Sequence, residues 1–146
     1  MRLWHQLLLH HLDDKRLLGQ HRECCALRGK GWGRTHSTVD YVFNYDIAHL
    51  YGYHCLVMRE MLSRDFNPDS YWFNRRWRGN CLRYSSIEEI GSYVQYQDEL
   101  IYKEHDNAYL RECLLNLKSK GAELCNDITI DEWLVKLDLE EPFNKE

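Results

Sequence analysis

Of the seven charged residues between Lys15 and Arg34, only Glu23 is acidic; Lys15, Arg16, Arg22, Arg28, Lys30 and Arg34 are cations. Cations at this density suit phosphate binding. A carboxylate set among them is expected to stay ionised and can stabilise a transient positive charge. The second reactive group is a backbone one, the α-amine of Met1. Terminal amines have a reference pKa of about 7.7–8.0, far below lysine, so a useful fraction is nucleophilic at neutral pH. Such an amine can attack an aldehyde-level carbon and form a Schiff base. Arg2 beside it should lower the amine's pKa and Glu23 should raise it, opposing influences whose balance the sequence does not give.

These groups need elements to hold them. Leu17, Leu18, His21, Cys24 and Cys25 recur at the spacing of one buried helical face, so a short helix is expected within 12–34. It runs into the turn Gly29-Lys30-Gly31-Trp32-Gly33. That turn reads in two ways: a backbone that approaches phosphates with Trp32 stacking on a base, or an ordinary helix C-cap with Trp32 packed. Asp46 opens a second helix carrying Ile47, Leu50, Tyr51, His54, Val57, Met58, Met61 and Leu62, stopped by Asn67-Pro68. On it, His54 reads as a packed histidine. Tyr71 to Tyr84 interleaves aromatics with Arg75, Arg76, Arg78 and Arg83; a loop pinned by its own tryptophans is the expectation, ahead of a stacking surface. Ser86-x-x-Glu89 opens a helix through Val94, Asp106 caps a helix ending at Gly121, and Thr129-x-x-Glu132 caps one stopped by Pro142. Met1 to His11 starts an apolar run suited to lying across helices. No strong strand pattern occurs. The fold expected is all-α, a single compact domain over 1–146.

The order of these features resembles the phage pyrimidine-dimer DNA glycosylases, the phage endonuclease V family. The likeness lies in L-x-D-x-x-L-L-x-x-x-R-E with Arg22-Glu23 at its core, in Met1-Arg2-Leu3, in THSTVDYVFNYD at 35–46, and in the amphipathic segments 47–64 and 106–118. The resemblance implies a DNA glycosylase with AP-lyase activity on double-stranded DNA bearing pyrimidine dimers or related lesions. It implies Met1 and Glu23 as the catalytic groups. The amine attacks C1′ and an imine forms after the family's base flipping. Glu23 then stabilises the cation and takes the C2′ proton. Arg2, Arg16 and Arg22 are carried over as phosphate or substrate contacts. His21 stands where the family has tyrosine, and Ala26 where it has arginine, with Arg28 as a stand-in. Lys30 completes the basic set. No cofactor or metal is expected, and the chain is expected to be a monomer. Two departures matter. Arg2 is a poor context for methionine removal, so Met1 itself would carry the amine, and the chain ends in the acidic LDLEEPFNKE where the phage member has a basic tail.

Composition bounds this reading. The 146 residues are 44% hydrophobic and 29% charged, ordinary values for a globular domain. No apolar run reaches membrane-span length, and Leu7-Leu8-Leu9 is too short for a signal core, so a cytoplasmic protein is expected. The six cysteines form no C-x-x-C, and buried thiols are the expectation. The net charge of −4 hides an asymmetry: residues 1–83 hold 13 Lys+Arg against 8 Asp+Glu, and residues 84–146 hold 6 against 15. A nucleic-acid face should lie in the first part, with the second turned away from phosphates; the alternative is that the two parts attract each other within the molecule. Two other classes stay open, a catalytically silent nucleic-acid-binding module and a protein-interaction domain using the acidic part.

Overall fold

Helix α1, Asp14–Arg28, carries the Arg22-Glu23 pair. The computed structural model describes residues 2–34, 38–96 and 99–140. The buried stripe of α1 is Leu17, Gln20, Cys24, Leu27 and Arg28, while Leu18, His21 and Cys25 are half-buried. The expected stripe is thus rotated. Two polar residues enter the core because each finds several hydrogen-bond partners there, which offsets most of the desolvation cost that would otherwise exclude them.

Helix α2, Ile47–Ser63, packs along α1 and supplies the largest part of the core: Leu50, Tyr53, Val57, Met58 and Met61 are buried. Two short helices follow, α3 at Gly79–Leu82 and α4 at Ile87–Ile90. The capping box at Ser86 forms, Ser86 Oγ accepting from Glu89 N–H at 3.2 Å, yet α4 ends four residues before Val94. Gly91 stops it with φ of 79°. A Cβ there would lie 2.3 Å from the Asp46 carboxyl, so glycine is required where α4 meets the start of α2. Helix α5, Asn107–Ser119, is capped by Asp106, and α6, Ile130–Glu140, is headed by Thr129 Oγ1 accepting from Glu132 N–H. The two pack on each other. Pro142 lies outside the described residues. Among the described residues there is no strand, only an isolated bridge between Trp77 and Tyr84, so the fold is all-α.

The N-terminal segment crosses this bundle as its apolar pattern predicts. Leu3, Leu8, Leu9 and Leu12 are buried, each such leucine contributing about 1.5–3 kcal/mol of transfer free energy. Its backbone polar groups are met by side chains rather than by a sheet. Tyr53 Oη donates to Trp4 O at 2.7 Å, Tyr109 Oη to Leu3 O at 2.5 Å, and Gln6 N–H to His105 Nδ1 at 3.0 Å. Arg64 at the end of α2 donates to Leu12 O and His10 O. No helix is long and apolar enough to cross a membrane.

Candidate active site

Glu23 lines a cleft of about 250 Å³ with Arg2, Trp4, Thr38, Asn116 and Lys120. Four separate pieces of chain meet there: the N-terminal segment, α1, the segment at Thr38, and α5 with its continuation. Gln20 holds two of them in register. Its Nε2 donates to the Glu23 carboxylate at 3.1 Å and to Arg2 O at 3.1 Å. Its Oε1 accepts from Trp4 N–H at 2.8 Å and Tyr53 Oη at 3.0 Å. The buried amide therefore fixes the rotamer of Glu23 against the backbone of residues 2–4, and Met1 itself lies outside the described residues.

The Arg2 guanidinium pairs with Glu112 of α5 at 3.2 Å and lies 5.8 Å from the centroids of both Trp4 and Tyr109. Lys120 Nζ sits 5.9 Å over the Trp4 ring, and Asn116 Oδ1 is buried with no hydrogen-bond partner among the described residues. Glu112, Asn116 and Lys120 succeed one another at four-residue steps, one face of α5 and its continuation. The acidic second part of the chain thus does not turn away from the basic face as its charge suggested. It presents a cation and an amide to the same cleft.

The remaining expected contacts separate into two groups. Arg22 and Lys30 are exposed. Arg16 is half-buried and paired with Asp13 at 3.2 Å. Arg28 is a correction: its side chain is fully buried, donating to the carbonyls of Trp72, Asn74 and Trp77 and to His54 Nδ1, between the faces of Tyr51 and Trp72. A guanidinium committed to four acceptors inside the protein is not offered to DNA phosphate. It is the pin that holds the 71–84 loop, with Trp77 buried beside it. His21 also turns inward, its Nδ1 2.8 Å from His54 Nε2. Trp32 packs edge-on against Phe43 at 5.0 Å and the turn closes through Gly31 N–H to Ala26 O, so the C-cap reading of the glycine turn holds.

Residues 1–74, half the chain, match the family model described as pyrimidine dimer DNA glycosylase. The chain belongs to that family. The match ends before α5, so in this pyrimidine dimer DNA glycosylase the Asn116–Lys120 wall of the cleft lies outside the matched segment. No curated protein and no solved structure matches. Gln20, Asn116 and Lys120 were not singled out from the sequence. A glutamine two residues before Arg22 carries no pattern, and a lysine just past α5 gains meaning only from its place over Trp4.

Proposed function

We propose that this glycosylase is also an AP lyase, cleaving double-stranded DNA at pyrimidine dimers through a Schiff base on the α-amine of Met1. The observation that carries the reading is the shared amide of Gln20, which bonds both the Glu23 carboxylate and the carbonyl of Arg2. The backbone at Arg2 is thereby held beside the one acid of the basic stretch, which supports assigning the amine one residue earlier as its partner. The amine attacks C1′ of the damaged nucleotide as the glycosidic bond breaks, giving a protonated imine. Glu23 faces that cation and accepts the C2′ proton, and the 3′ phosphate leaves by β-elimination. Arg2, Arg22, Lys30 and Lys120 supply the cationic surroundings for the phosphates. No ion is required for any of these steps. The chain works as a monomer in the cytoplasm.

Borohydride trapping on abasic-site duplex tests this. The expected adduct maps to the N-terminal peptide, and a tag ahead of Met1 abolishes it while duplex binding persists. Lys120 is the competing amine in the cleft. An adduct on Lys120, or none, overturns the terminal-amine assignment, and binding without any cleavage points to a silent DNA-binding module.

A further inference from the structure

On the side of α1 away from Glu23, about 200° around the helix axis, two residues one turn apart face a third on α2. His21 Nδ1 lies 2.8 Å from His54 Nε2, and Cys25 Sγ lies 3.9 Å from each of these nitrogens. These three are the described His, Cys and acidic residues whose ligand atoms converge closely enough to hold an ion. Tetrahedral zinc with two nitrogens and one sulfur needs ligand separations of about 3.3–3.6 Å. The nitrogen pair must open by roughly half an ångström and the sulfur close by a little less, within reach of side-chain rotation and no backbone shift.

The protonation pattern of this cluster follows from Arg28. A guanidinium can only donate, so His54 Nδ1, 2.9 Å from it, is an acceptor. The His54 proton therefore sits on Nε2 and is donated to His21 Nδ1. The half-buried Cys25 is a free thiol, protonated at neutral pH as thiols ordinarily are, so the sulfur carries its proton as well.

We propose that His21, Cys25 and His54 form a site for one thiophilic divalent transition ion of the zinc class, clamping α1 to α2. Binding expels two protons to solvent, one from the Cys25 sulfur and one from His54 Nε2. The resulting anionic imidazole ring keeps its bond from Arg28. That guanidinium takes the place of the carbonyl or carboxylate that commonly orients a ligating histidine, and its charge offsets the ring's. Hard ions such as magnesium and calcium are excluded, because the site offers no oxygen ligand. The fourth position is left to water.

The full chain, stripped of metal by a chelator, is titrated with cobalt(II) as the probe. One equivalent should bind with a thiolate-to-cobalt charge-transfer band in the near ultraviolet, and zinc should bleach that band. Cys25→Ser should abolish it and His21→Gln should weaken zinc at least tenfold. Cys81→Ser should keep the band, and zinc should raise the thermal midpoint of the parent and not of Cys25→Ser. His54 also holds Arg28, so its replacement risks the fold, and Cys25→Ser is the deciding variant. No band in the parent, or a band that survives Cys25→Ser, overturns the proposal.

Discussion

Gln20 Nε2 donates to the Glu23 carboxylate across 3.1 Å, one turn along α1, and the same nitrogen donates to Arg2 O. A neutral, buried amide thus sets the position of the charged group and of the backbone at residues 2–4 together. Gln20→Leu keeps the bulk and removes both. It orphans the Trp4 N–H, a loss of about 1–3 kcal/mol for a buried donor, read as a lower urea midpoint. Strand cleavage should fall further than stability does, because the tether between Glu23 and residues 2–4 is gone. Cleavage near the parent rate in a folded Gln20→Leu protein would separate Gln20 from the site.

Glu23→Gln preserves shape and removes the charge. Folding and duplex binding should persist, and nicking of abasic DNA should drop ~10²–10⁴-fold, the usual loss for a positioned general base. Single-turnover nicking rates decide it. A rate within a few-fold of the parent would require another carboxylate.

Arg22 and Arg28 should part company in salt titrations. Arg22 is exposed, so Arg22→Ala should flatten the salt dependence of duplex affinity by about one unit of slope. Arg28→Met should leave that slope unchanged and lower stability, since three loop carbonyls and His54 lose their donor. Equal flattening by both substitutions would return Arg28 to the DNA face.

His105 makes the N-terminal segment acid-sensitive. Burial, with His5 beside it, lowers its pKa to about 3, against an ordinary value of about 6.5 in the unfolded chain. The folded state resists the proton that the unfolded state takes up. This contribution to stability is therefore full above about pH 6.5 and is lost progressively as pH falls toward 3. Denaturant midpoints measured from pH 7 to 4 should decline, and His105→Gln should flatten the decline. An identical slope in that variant would move the effect to another group, the deeply buried His54 first.

The helices were legible in the sequence because their caps and apolar spacings are local: Asp46, Ser86, Asp106 and Thr129 each precede a helix as expected. The end of α4 was not, because Gly91 answers to Asp46, a residue 45 positions away. Glu23 could be picked out as the one acid among cations. Its neighbours Asn116 and Lys120 could not, since nothing local distinguishes them from any amide and lysine at a helix end. Arg28 misled for a related reason. An arginine in a basic run looks exposed, and only the convergence of three carbonyls from the 72–77 loop gives it a buried place. Charge summed over halves of the chain likewise failed to foresee that α5 turns Lys120 toward the cleft.

Tyr109 bonds Leu3 O across 106 residues of sequence, and His105 and Ile101 secure Gln6 in the same way. The end of the chain that the ribosome makes first is therefore among the last to find its seat. Until residues 101–109 have been synthesised, the N-terminal segment lacks these partners and Glu23 has no completed cleft to face. A nascent chain of this glycosylase should stay unreactive toward DNA through most of its synthesis, gaining its chemistry only once α5 has emerged and folded.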